Sequence, residues 1–387
     1  MPNALPFPEK DRLGPMSQVP ASEMQRITFL DGIRGWASVV VLLSHAIPCF
    51  LGSKYPFLNV AALRWATDGS FAVSIFFVLS GIALTINYFR TGDTKVLLHL
   101  IVRRYPRLFI PVAASTLLGV AMVRLGLFFN HEAAPLLNNS WWLANHFSDI
   151  RNIHEILDFI TREVFFEKVH PWGYNMNLWT MNIEFLGSFV TFAFCLFVMP
   201  LRRFAPVALV AVFLSYRFNF YLPFIAGVLL ARSIHPLLLL PGRSKALSRI
   251  CVAVSLVTLA AVAVYAALSR NLEIDAPVLP RAEPYATLAA CLAIAAVCIN
   301  KPLRSRLSGP LSRGLGHVSF PLYLTHLFVI CSLSCFVALH LPSLDGPLPA
   351  IALIAVSVAG SLAAAWAFTP VERLAVALSR RISKSIV

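Results

Sequence analysis

Apolar residues along this chain gather in long runs closed by charged or turn-forming positions, a pattern that predicts membrane-spanning helices rather than a soluble core. Ten runs qualify: 34–53, 70–89, 108–129, 177–200, 204–217, 219–234, 250–269, 284–300, 317–338 and 348–369. The expected fold is all-α, a polytopic membrane protein of about ten transmembrane helices. The fifth and sixth runs are short and separated only by Arg217, Phe218 and Asn219, so a re-entrant hairpin in an eight-span protein is the alternative there. One long polar connection, 130–176, interrupts the series. Within it Ile153, Ile156, Leu157, Ile160, Val164 and Phe165 recur at helical spacing opposite Glu155, Asp158 and Glu163. That stripe predicts an amphipathic helix packed at the outer interface, with a lid as the alternative. The organisation reads as a disordered cytoplasmic tail over 1–28, a transmembrane domain over 29–370 and a second cytoplasmic tail over 371–387.

Composition agrees with the pattern. The chain is 58% hydrophobic and only 13% charged, about half the charge of a soluble domain. Its net charge of +14 resembles that of nucleic-acid binders, but the distribution argues otherwise. With both termini in the cytoplasm, 23 of the 32 Lys and Arg fall in cytoplasmic segments and eight in outer ones, while Arg124 lies in the third run. The charge is a topology signal; membrane lipids are expected partners and nucleic acid is not. The seven cysteines lie mostly inside apolar runs without CxxC or Cys/His ligand spacing, so neither a disulfide framework nor a metal site is expected. His131, His146, His154 and His170 in the connection are not compactly spaced and read as a solvated loop.

Four polar clusters break the apolar runs. The first is Asp31, Arg34 and His45. Arg34 and His45 are eleven positions apart, and eleven steps of about 100° return to the same helix face. They are then about 16 Å apart along the axis, half the depth of a bilayer core. The second cluster is Arg103, Arg104 and Arg107, placed at the cytoplasmic start of the third span. The third is Glu184 with Asn182, about two turns into the fourth span from its outer end. The fourth is Tyr323 and His326, one turn apart in the ninth. Ionisable groups at such depth face cavities or partners and commonly carry function. A histidine beside a carboxylate can act as a general base near neutral pH, and grouped arginines offer bidentate sites for phosphates. Together they suggest a phosphate-bearing cytoplasmic ligand whose reactive end reaches toward His45. Ser80 lacks the GxSxG setting of a nucleophile and reads, with Gly81, as helix packing.

The segments LDGIRGWASVVVLLSHA, FFVLSGIAL, VRRYPRLFIP, LWTMNIEFLGS and SFPLYLTH follow one another as in the acyltransferase 3 family of membrane-bound O-acyltransferases, which the chain resembles over roughly 28–370. The resemblance implies ten spans in a bacterial inner membrane. It also implies acyl transfer from cytoplasmic acyl-CoA, with acetyl the expected group, to a hydroxyl of a surface glycan, a lipopolysaccharide or lipid-linked sugar, or a small molecule such as a macrolide. By this resemblance His45 matches the essential histidine and Arg34 its paired arginine. Arg104 and Arg107 match the family's Arg-x-x-Arg element, and with Arg103 they would hold the phosphates of the donor. Glu184 matches the family glutamate, which would orient His45, although WTMNIEFLGS lacks the second acidic residue of the usual WSLSVEEQF-like segment. The alternative from another class is a secondary transporter or sugar flippase, with His and Glu as a proton relay.

Overall fold

The computed structural model describes residues 27–147, 152–167, 174–198, 221–239 and 283–387, with single positions at 246, 249, 250, 253, 257 and 260. Among the described residues the chain is helical throughout, with no strand. Helix α1 (Thr28–Ser44) runs into a π turn, His45–Cys49. Pro48 has no N–H to continue the α ladder, and Phe50 N instead bonds back five residues to His45 O at 2.8 Å. Helix α2 (Gly69–Thr91) starts where Asp68 accepts from Phe71 N, and stops at Gly92, whose φ of 71° suits glycine. It is followed by α3 (Lys95–Arg124) and by α4 (Ile153–Asp158), which passes through a π turn (Phe159–Glu163) into Val164–Phe166. Then come α5 (Trp179–Ala193), α6 (Leu222–Leu239), α7 (Glu283–Ile299), α8 (Lys301–Leu307), α9 (Pro310–Val329) and α10 (Pro347–Ile386). The short helices Ala61–Ala66 and Asn130–Leu136 lie in the connections, and Cys335–His340 ends the span that α9 begins.

Among the described residues, six segments are long and apolar enough to cross a membrane: Thr28–Cys49, Gly69–Thr91, Lys95–Arg124, Met176–Val198, Pro310–His340 and Pro347–Ile386. Two further predicted runs appear as α6, whose apolar stretch Leu222–Ile234 is short, and α7, which meets α8 at a bend of 101°. The predicted span 204–217 and nearly all of 250–269 lie outside the described residues, and with them the question of the hairpin.

Three expectations change. The third span was bounded at 108 because three arginines precede it, yet α3 begins at Lys95 and carries Arg103, Arg104 and Arg107 two to three turns inside. Buried charge is expensive, and here the surrounding helices supply partners and space for it. The segment 371–387, expected as a cytoplasmic tail, is helical: α10 continues through Pro370 to Ile386, about 60 Å in all, twice an apolar bilayer core. Its last turns pack on α3, where Ser383 Oγ and His99 Nδ1 lie 2.8 Å apart. Finally, α4 lies along α3 and α5. Tyr105 Oη donates to Thr161 O at 2.9 Å, Asn182 Nδ2 donates to Phe165 O at 2.9 Å, and the Phe165 ring packs against Tyr105 and Phe185. The π turn inserts a residue into the helical count and shifts the apolar stripe, so Ile153 and Leu157 are exposed while Phe159, Ile160, Val164 and Phe165 are buried.

The axis of the bundle is a parallel pair, α1 and α9. They approach so closely that a Cβ on Gly35 would fall 2.4 Å from Gly316 N, and one on Gly316 would fall 2.4 Å from Asp31 O. Trp36 Nε1 donates to Ser312 Oγ at 3.1 Å and Thr28 Oγ1 to Ser308 Oγ at 3.0 Å, which fixes the register. In that register His45 comes level with His326.

Candidate active site

The two histidines form the first part of the site. His45 Nδ1 and His326 Nε2 are 2.8 Å apart, and His326 Nδ1 lies 2.8 Å from Leu322 O. A carbonyl can only accept, so His326 carries its proton on Nδ1 and presents a bare Nε2. His45 must then donate from its own Nδ1, which leaves His45 Nε2 unprotonated with its lone pair available. His326 is fully buried, whereas His45 keeps part of its surface exposed. Trp142 stacks on His45 with ring centroids 5.8 Å apart, and His146 meets Trp142 edge-on at 4.5 Å. His146 is 1% exposed rather than solvated, and burial first, then the nearby His326, holds its pKa down to about 4.

The second part is an ion pair at mid-depth. Arg104 Nη2 contacts the Glu184 carboxylate directly, and also donates to Glu184 O at 3.0 Å. Ser80 Oγ donates to Glu184 Oε1 at 2.8 Å. Ser80 is the midpoint of the 23-residue α2, so this trio stands halfway through the span. The sequence-based roles of two residues change accordingly. Glu184 is committed to Arg104 and Ser80, and the group that orients His45 is His326. Arg104 is in turn paired with Glu184 and lies off the cavity wall, with its Nε buried without a partner. Ser80, expected only to pack, holds the carboxylate.

The third part is a cavity of about 660 Å³ among α1, α2, α3, α5, α9 and α10. Its wall carries Arg34, Arg103, Arg107, Arg373 and Arg380 against Asp31, Glu184 and Glu372. Arg103 and Arg107 are four residues apart and share the cavity face of α3, while Arg104 points about 100° away to α5. The charges that bear on Arg107 are Arg104, Arg34 and Arg103 together with Glu372, and the charge that bears on Arg103 is Arg380. Among the described residues no carboxylate is hydrogen-bonded to Arg34, Arg103, Arg107 or Arg380, and Arg103 Nε is buried without a partner. Arg373 instead bonds His317 Nε2 at 3.0 Å. Grouped guanidiniums in a half-buried cavity repel one another, and the arrangement is favourable with an anion between them.

Tyr323 joins the cavity to the histidines. Its hydroxyl donates to Asn177 O at 2.6 Å and pairs with Thr180 Oγ1 at 2.8 Å, and Asn177 Nδ2 returns a bond to Tyr323 O at 2.9 Å. Thus held, its ring lines the inner end of the cavity beside Phe76, 6.3 Å away, and stands 6.4 Å from the His326 ring. The structure therefore gathers Asp31, Arg34, Arg103, Arg107, Glu184 and Tyr323 around one cavity, and sets His45 and His326 beyond its inner end. Sequence reasoning missed the contributions of Glu372, Arg373 and Arg380, which look like ordinary cytoplasmic charges until α10 is seen to line the cavity. It also missed Trp142 and His146, whose approach to His45 depends on the outer connection folding inward.

No solved structure matches the chain. An O-acetyltransferase, PaAT-1 of Phomopsis amygdali, is 29% identical over 201 residues, covering 43% of this chain. The match spans 39% of that protein's length. The sequence pattern of the acyltransferase 3 domain extends over residues 27–366, which takes in the histidine pair, the ion pair and all of the cavity wall except the end of α10. The chain belongs to the acyltransferase 3 family.

Proposed function

We propose that the protein is a membrane-embedded O-acyltransferase, with acyl-CoA as donor, acetyl as the expected group, and a hydroxyl of a surface glycan or lipid-linked sugar as acceptor. The arginine-lined end of the bundle is cytoplasmic in this reading, as the distribution of Lys and Arg favours. The observation that carries it is the cavity: guanidiniums with no carboxylate hydrogen-bonded to them among the described residues line it, and it ends at Tyr323, beside the hydrogen-bonded His326–His45 pair. Arg34, Arg103 and Arg107 bind the phosphates of the donor, whose pantetheine arm extends toward Tyr323. Arg104 and Glu184 shape the wall by neutralising each other.

In the chemical step His45 Nε2 takes the proton of the acceptor hydroxyl. The oxygen attacks the thioester carbonyl, the C–S bond breaks as the new C–O bond is completed, and the thiolate leaves with the proton returned by His45. His326 is a positioning residue: it fixes the His45 tautomer by accepting from Nδ1. Purified protein in detergent, given acetyl-CoA and a panel of glycans, should release free CoA thiol with one acceptor class. His45→Ala should lower that rate by about 10²–10⁴-fold while CoA affinity stays within about twofold. Normal turnover by a folded His45→Ala protein would remove the general-base role.

A further inference from the structure

The end of α10 reaches the cavity at a level distinct from the rest of its arginines. Helices α3 and α10 run antiparallel, and the His99–Ser383 contact at 2.8 Å fixes their register. Four residues along α3 and three back along α10 from that contact stand Arg103 and Arg380, each facing the other across the cavity. Arg107 lies one turn further in, about 6 Å along the axis, in the company of Arg34. The cavity thus has two tiers of cations. The helix contact holds the backbones of the outer tier side by side, and Arg103 Nε is buried there without a partner. Arg380 itself is exposed, as a residue at the mouth of a cavity would be.

We propose that the outer tier, Arg103 with Arg380, is a phosphate-monoester subsite, so that the donor is read as a nucleotide bearing a separate ribose phosphate in addition to its diphosphate. This rests on the acyl-CoA reading and refines it. A monoester carries close to two charges near neutral pH, and two guanidiniums facing each other suit that dianion better than they suit one diphosphate oxygen. The inner tier is left for the diphosphate, one turn nearer the thioester path. The last turns of α10 then belong to the donor site.

The test compares CoA with 3′-dephospho-CoA, by calorimetry on the full chain in nanodiscs of neutral lipid. The unaltered protein should bind CoA about tenfold more tightly than the dephospho form. Arg380→Gln should erase that preference by weakening CoA about tenfold and changing dephospho-CoA less than about twofold. Arg381→Gln, one position along but outside the cavity wall, should preserve it. Equal affinity of the unaltered protein for both nucleotides would overturn the subsite, as would an equal loss for both in Arg380→Gln, which would make Arg380 a general steering charge. Loss of the preference when phosphatidic acid is added to the discs would assign the tier to a lipid phosphate and overturn the proposal as well. Failure of either nucleotide to bind at all would instead remove the acyl-CoA reading beneath it.

Discussion

The parallel helices α1 and α9 carry opposite kinds of polar site at their two ends. Toward Arg34 and Gly316 guanidiniums outnumber the carboxylates of Asp31, Glu184 and Glu372 around open space. Toward His45 and His326 they are neutral rings in a hydrogen-bond chain that terminates on a backbone carbonyl, packed by Trp142 and His146. The first arrangement is incomplete without an anion and so reads as a binding site. In the second, the His45–His326 chain is satisfied except for one lone pair and so reads as a place for proton transfer. Between them Arg104 and Glu184 hold each other, with Ser80 on the carboxylate, while Arg104 Nε is buried without a partner.

The largest effect should come from upsetting that middle element. Arg104→Met leaves the Glu184 carboxylate at mid-span with only the Ser80 hydroxyl, and should cost about 3 kcal/mol of stability in chemical denaturation. Arg104→Met combined with Glu184→Gln removes both charges and should recover most of the loss. If the single variant unfolded like the unaltered protein, the pair would not separate the two ends as argued, and Arg104 would return to the ligand-binding set.

A smaller and more specific effect is expected at the histidine end. His326→Ala takes away the acceptor for His45 Nδ1, so the base loses its fixed tautomer, and kcat should fall by about tenfold to a hundredfold. KM for the acyl donor should not change, because the cation tiers are untouched. His326→Gln, whose Oε1 can accept at about the reach of Nε2, should restore part of kcat. A rise in KM with kcat unchanged would place His326 in substrate binding, and the contrast between the two ends would weaken.

Much of this arrangement is legible in the sequence where it depends on one helix. The common face of Arg34 and His45 follows from their spacing, and the depth of Glu184 follows from its place in an apolar run. The division of labour within VRRYPR was also available: helical phase alone puts Arg103 and Arg107 on one face and Arg104 on another. What a single chain cannot disclose is pairing across helices. Arg104 with Glu184, His45 with His326, and Arg380 with Arg103 join residues 80, 281 and 277 positions apart. The C-terminal charges, in particular, follow the positive-inside pattern so well that nothing local distinguishes Arg380 in the cavity from Arg381 outside it.

The smallest effect should appear with pH, in the cap over His45. His146 is held down to about 4 in the folded protein, against about 6.5 when exposed, so the fold favours its neutral form. Above about pH 6.5 both states are neutral and His146 contributes no pH dependence. As pH falls from about 6.5 toward 4 the unfolded chain takes up a proton that the folded cap resists, and stability declines across that window. Amide exchange in the 130–147 segment, followed at pH 7 and at pH 5, should therefore quicken at the lower pH in the unaltered protein. His146→Phe keeps an aromatic ring against Trp142 and removes the titration, so its exchange, corrected for intrinsic rates, should change less between the two pH values. An equal acceleration in both proteins would assign the acid sensitivity to another group, and would leave Trp142, rather than His146, as the element of the cap that matters for His45.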